Sequence, residues 1–166
     1  MNRAVPLEAK IVPLDELLEL LRPRRAAGER VVLTNGCFEL LHRGHVRYLM
    51  AAADLGDALV VGLNSDRSVR RLKGRSRPLV AEDERAEVLA GLSAVDYVTI
   101  FDQPTAIQLV EALRPDIYVK GGDYADRPPP EAEVARALGG EFRLVPFVAG
   151  SSTTELARRI RSATGP

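Results

Sequence analysis

An α/β domain is the fold class that the sequence predicts, and three observations carry it. Five short apolar runs alternate with helical patterns over most of the 166 residues. The polar and glycine-bearing segments fall directly after those runs, where open parallel sheets bind their ligands. Hydrophobic residues make up 46% and charged residues 28%, the mix of one globular domain able to bury its own core.

The elements follow in order. Residues 1–28 read as a helical lead-in to a single domain spanning 1–166. Residues 31–34 (VVLT) form a buried strand, and Asn35-Gly36 is a turn signal. A helix over 44–55 places Val46, Leu49, Met50 and Ala53 on one face. Residues 58–63 (ALVVGL) are the second strand, followed by a polar loop with Gly74 and Pro78 and a helix over 82–91. Strands recur at 95–100, 116–119 and 142–145, with helices at 104–113, 131–138 and 153–162. The Pro128-Pro129-Pro130 run reads as a break within a loop. Strands separated by helices imply βαβ units, and right-handed crossovers favour a Rossmann-like, doubly wound parallel sheet of about five strands.

Composition excludes several function classes. Lys plus Arg equal Asp plus Glu at 23 each, without the basic excess that a duplex binder uses against phosphates. No nucleic-acid partner is expected. No apolar stretch is long enough to span a bilayer, and Glu8, Lys10, Asp15 and Glu16 interrupt any secretory leader, so a cytoplasmic location is the default. Cys37 is the single cysteine, which rules out an internal disulfide.

Four segments carry candidate chemistry. T-N-G-C-F-E-L-L-H-R-G-H (34–45) holds both histidines, His42 and His45, around Gly44 at a helix start. Free backbone N–H groups and the positive helix end suit phosphate there, and imidazoles can donate to phosphate oxygens as charge builds. The basic run R-L-K-G-R-S-R-P (70–77) contains Lys73. On its own it reads as a solvated loop, but Lys and Arg in a Gly/Pro loop can also cover a triphosphate. V-K-G-G-D-Y (119–124) offers Lys120 for a phosphate, Gly121 in a tight turn, and Asp123 for a ribose or sugar hydroxyl. In S-S-T-T-E-L (151–156), Ser152 and Glu155 form a capping box, while Ser151, Ser152, Thr153 and Thr154 can wrap phosphates.

His42-Arg43-Gly44-His45 resembles the H-x-G-H signature of the nucleotidyltransferase superfamily, with Asn35-Gly36-Cys37-Phe38 similar to its first-strand turn. Ordered with K-G-G-D-Y and S-T-T, the set is similar to the heptose 1-phosphate adenylyltransferase family over nearly the whole chain. The resemblance implies that a sugar 1-phosphate attacks the α-phosphate of ATP in line and releases pyrophosphate. His42 and His45 would stabilise charge on the α- and β-phosphates, and Lys73 with Ser152 to Thr154 would hold the β- and γ-phosphates. Asn35 and the backbone of Gly36 to Phe38 would seat the nucleotide. Glu39, Asp66, Lys73, Arg85 and Asp123 are the expected acceptor-side residues; Arg85 reads equally as an exposed ion-pair partner on its helix. Mg²⁺ would accompany ATP, held by phosphates and water, with no protein metal ligand named.

Glu39 stands where that family usually has Asp, and the Pro128–Pro130 run borders the region expected for the sugar. The family unit is often fused behind a sugar kinase; this chain is expected to stand alone. A homodimer and a separate heptose kinase of the same pathway are left open as partners. The rival readings are a cytidylyltransferase for glycerol 3-phosphate, a fragment of an aminoacyl-tRNA synthetase, and a non-catalytic nucleotide-binding module.

Overall fold

The structure is a computed structural model that describes residues 5–124, 126–146 and 153–163. Its helices are α1 (Leu14–Ala26), α2 (Arg43–Ala53), α3 (Asp66–Lys73), α4 (Glu82–Ala90), α5 (Ile107–Leu113), α6 (Pro130–Ala137) and α7 (Thr153–Ala163). Its strands are β1 (Val31–Gly36), β2 (Ala58–Asn64), β3 (Tyr97–Phe101), β4 (Ile117–Gly121) and β5 (Glu141–Val145). Short 3₁₀ turns occur at Leu7–Ala9 and Gly122–Tyr124.

All pairings are parallel, in the order β3-β2-β1-β4-β5. From β1 the chain winds one way to β2 and β3, then crosses back to β4 and β5. The switch point therefore lies between the carboxyl ends of β1 and β4, the crevice in which such sheets bind ligands. This is the doubly wound sheet that the alternation of runs and helices predicts.

Alternation along β1 divides the core in two. Val31 and Leu33 pack with Leu17 and Leu21 of α1, Leu109 and Leu113 of α5, and Ala132 of α6. Val32 faces the other way, with Leu49 of α2 and Leu89 of α4. Each such leucine contributes about 2 kcal/mol by leaving water. β2 is buried throughout, so its apolar run is continuous rather than alternating. Gly62 within it is forced by packing: a Cβ there would lie 2.5 Å from Leu109 Cδ2. Edge strand β5 is mostly exposed, and its Glu141–Arg143 pair (2.6 Å) puts charge along the free edge.

Two expectations are corrected. The stretch after β2 is not simply a loop, because 66–73 form α3, capped by Ser65 Oγ accepting from Ser68 N–H at 3.0 Å. Its sequence DRSVRRLK carries a single buried apolar side chain, Val69, so no apolar stripe announces it. The proline run does more than break a loop. Pro129 caps α6 and Pro130 opens it, where a missing N–H costs nothing.

Candidate functional site

The chain leaves β1 through a tight turn. Phe38 adopts φ 45°, a left-handed conformation that costs a non-glycine residue energy and is held in place by packing. Its ring lies 5.3 Å edge-on from the His45 ring. Gly36 makes room for it, since a Cβ there would stand 3.0 Å from the Phe38 ring.

His42 is the N-cap of α2, and its Nδ1 accepts the Gly44 N–H at 3.1 Å. That bond sets the tautomer and leaves Nε2 carrying the proton as an outward donor. The His42 and His45 rings stack at 3.9 Å. Burial lowers both from the ordinary imidazole value, and His45, with His42 and Lys73 adding to the effect, falls to about 4. Both rings are therefore neutral hydrogen-bond donors near pH 7. The Nδ1 of His45 is enclosed without a well-formed hydrogen bond among the described residues, and the Leu40 backbone beside the ring favours its charged form without offsetting burial.

The His45 ring opens onto a cleft of about 520 Å³ at the switch point, whereas His42, stacked on it, is not among the residues that line the cleft. One wall is the β1–α2 turn with Lys73 at the end of α3. Lys73 Nζ donates to Glu39 Oε2 at 2.7 Å, and Glu39 Oε1 also lies 3.3 Å from both Arg77 Nη1 and the Leu79 N–H. Burial works against the Glu39 carboxylate, but the hydrogen bond and charge of Lys73, with Arg77 and Leu79, hold it below its usual range. The Glu39 side chain is 0% exposed, so it anchors the basic segment rather than meeting an acceptor directly. Cys37 lines the same wall, and burial pushes its thiol up, keeping it protonated.

The facing wall comes from β4 and the α5 and α6 starts. Lys120, 8% exposed, donates to the Asn35 carbonyl at 2.8 Å, and Tyr118 donates to Asn35 Oδ1 at 2.7 Å. Asn35 is thus clamped across the switch point. Burial lowers the Lys120 ammonium to about 8, and it lies 5.8 and 5.4 Å from the Tyr118 and Tyr124 ring centres. Gly121, Tyr124, Thr105 and Glu131 complete this side, and Thr153 of α7 closes the rim.

Not every expected residue reaches the cleft. Arg85, 2% exposed, is no exposed ion-pair partner, because its guanidinium is buried against protein acceptors. It donates to the carbonyls of Val80 (2.9 Å), Cys37 (2.6 Å) and Asn64 (2.9 Å) and to Asp66 Oδ1 (2.8 Å). Arg85 and Asp66 stand behind the wall and bind the ends of β1 and β2 to α3 and α4. Thr154 also lies off the cleft lining. Ser151 and Ser152, and the Asp123 side chain, lie outside the described residues. Sequence reasoning missed Tyr48, Asn64, Leu72, Thr105 and Glu131. Tyr48 spans β1 and β4 by its contact with Thr34 Oγ1 (2.6 Å) and its bond to the Val119 carbonyl (3.1 Å). No short motif joins these positions; only the proline run beside Glu131 gave a hint.

The switch-point cleft is where a doubly wound sheet places its ligand, and the comparisons show the class of protein, a nucleotidyltransferase. Residues 33–160 match the family model described as cytidylyltransferase-like. The chain belongs to the cytidylyltransferase-like family. Among curated relatives, the bifunctional protein HldE of Geotalea uraniireducens is 52% identical over 95% of this chain, and that of Koribacter versatilis is 54% identical over 94%. The chain spans about a third of their length, 32% in each case. Among solved structures, the lipopolysaccharide core biosynthesis protein from Thermoplasma volcanium GSS1 is 31% identical, with a TM-score of 0.58 over 73% of this chain and 98% of its own. No helix among the described residues is long and apolar enough to cross a membrane.

Proposed function

We propose that the chain transfers AMP from ATP to D-glycero-β-D-manno-heptose 1-phosphate, giving ADP-heptose and pyrophosphate. The observation that carries the chemistry is His45 on the cleft wall beside Lys73, its ring stacked on that of His42 at the start of α2. The acceptor phosphate is already ionised at neutral pH, so no general base is needed to make it a nucleophile. Its oxygen forms a bond to the α-phosphorus of ATP while the bond to the β-phosphate bridging oxygen breaks. Charge grows on the α-phosphate oxygens and on the departing pyrophosphate. Neutral imidazole N–H groups held by the α2 cap donate to those oxygens without reorganising. Lys73 supplies positive charge, with Glu39 holding it in register.

The heptose and the choice of ATP are supported by the resemblance of the sequence motifs to the heptose 1-phosphate adenylyltransferases. Mg²⁺ is proposed as a companion of ATP. Among the described residues no cluster of His, Cys, Asp and Glu could hold a metal, and the Glu39 carboxylate is engaged by Lys73. The ion would thus travel on the triphosphate, and no step is assigned to it.

Pyrophosphate release with ATP or CTP, each paired with heptose 1-phosphate or glycerol 3-phosphate, tests the proposal. Release with ATP and the heptose phosphate alone is the expected result. Release with CTP and glycerol 3-phosphate would keep the chemistry and replace both substrates. Nucleotide binding without release from any pair would sink catalysis in favour of a sensor.

A further inference from the structure

The wall facing the histidines holds a carboxylate that phosphoryl chemistry does not require. Glu131, the second residue of α6, is 6% exposed yet lines the cleft. Its Oε1 accepts the Ala106 N–H at 2.9 Å, at the start of α5. Its second oxygen has no protein donor among the described residues, and it is not among the fully enclosed polar atoms left without a partner. A side chain more than nine-tenths buried therefore turns one unshared acceptor toward the cleft. Capping α5 accounts for Oε1 alone, and a favourable contact with the α6 dipole does not require the second oxygen to go without a donor. The buried Lys120 ammonium shares this wall, with one donor on the Asn35 carbonyl and others to spare. A phosphate placed here would meet the negative charge of Glu131. A hydroxyl would not: it donates to a carboxylate and accepts from an ammonium, and adjacent hydroxyls can do both at once.

We infer that Glu131 and Lys120 form a diol-reading subsite, in which Glu131 accepts from one hydroxyl and Lys120 donates to its neighbour. The diol belongs to the nucleotide ribose or to the acceptor sugar, two sources of the same chemistry. The inference deepens the proposed nucleotidyl transfer and rests on it. Its specificity follows from burial: a ligand lacking the hydroxyl leaves a desolvated carboxylate unpaired.

Calorimetric titration of ATP, 2′-deoxyATP and 3′-deoxyATP into wild type and Glu131→Gln, alongside the KM for heptose 1-phosphate, tests it. Glu131→Gln keeps an oxygen for the Ala106 N–H, and thermal unfolding checks that it folds. If the diol is ribose, wild type loses about tenfold or more in affinity for a deoxynucleotide, and the variant no longer discriminates against the one lacking the hydroxyl that Glu131 reads. If the diol is on the acceptor, nucleotide affinity is unchanged and the variant's KM for the sugar phosphate rises by about tenfold or more. A folded variant matching wild type for both ligands overturns the subsite. Should the variant not fold, wild type indifferent to deoxynucleotides and to a deoxygenated acceptor overturns it equally. Pyrophosphate release with no effect of Glu131→Gln sinks the subsite alone. Diol-dependent ATP binding without release sinks the transfer reading alone.

Discussion

The two ends of the sheet are built on opposite rules. At the amino ends of the strands, three aspartates close the structure onto itself. Asp57 Oδ2 accepts from Arg30 N–H, Asp96 Oδ2 from Leu59 N–H and Asp116 Oδ2 from Val31 N–H, each at 2.7 Å. Backbone donors that would otherwise be left at the start of a parallel ladder are thereby satisfied. At the carboxyl ends the polar groups converge on a cleft instead, and one oxygen of Glu131 has no protein donor among the described residues. The amino end ties its strand-start backbone to aspartates, while the carboxyl end gathers polar side chains around a cleft.

The largest expected effect separates the ends by activity. His45→Ala should cut pyrophosphate release by about a hundredfold to a thousandfold, as loss of one transition-state donor does. Its thermal midpoint should fall only modestly, by the loss of ring contacts with Phe38 and His42. A large fall in stability would show that the ring is structural.

Arg85 sharpens the contrast because it sits at the functional end and behaves like the other. Arg85→Met should destabilise by about 3–5 kcal/mol in urea unfolding, leaving Asp66 and three carbonyls without their donor. Unchanged stability with lost turnover would return Arg85 to the phosphate-binding role expected of it from the sequence.

Acid should weaken the protein through His45. The unfolded imidazole takes its proton near 6.5 and the folded one only near 4. Between those values the unfolded chain binds more protons, so stability falls as pH drops through this window, by at most about 3 kcal/mol. Comparing urea midpoints of wild type and His45→Gln from pH 7 to pH 4 should show a shallower loss in the variant. Parallel curves would mean that other groups carry the acid sensitivity.

The smallest effect belongs to the closed end. Asp116→Ala should cost about 1–3 kcal/mol by leaving the Val31 N–H without its acceptor. Turnover per folded molecule should match wild type, and a specific loss of turnover would erase the distinction between the ends.

How much was legible follows from the reach of each interaction. The β1–α2 turn was readable because Asn35 to His45 are contiguous, and turn, cap and histidine spacing are local chemistry. The alternation of apolar runs and helices set the doubly wound sheet, since right-handed crossovers leave few ways to stack such units. Helix α3 was unreadable because its fold depends on a Ser65 cap and one buried Val69 rather than on a repeating apolar face. The α4 residue Arg85 looked equally suited to phosphate or solvent, because its carbonyl partners lie as far as 48 positions away in sequence.

By itself, then, the sequence determined the fold class, the strand-end location of the cleft, the histidine pair at a helix start and the basic segment whose Lys73 borders that cleft. Each is a matter of periodicity or of a short run of residues. Only tertiary structure decided that Glu39 holds Lys73, that Arg85 and Asp66 stand behind the wall, and that Glu131 and Lys120 line the same side of the cleft. Those relations join residues that the sheet order brings together, and burial, which a linear pattern does not specify, settles which polar atom finds a protein partner and which is left for a ligand.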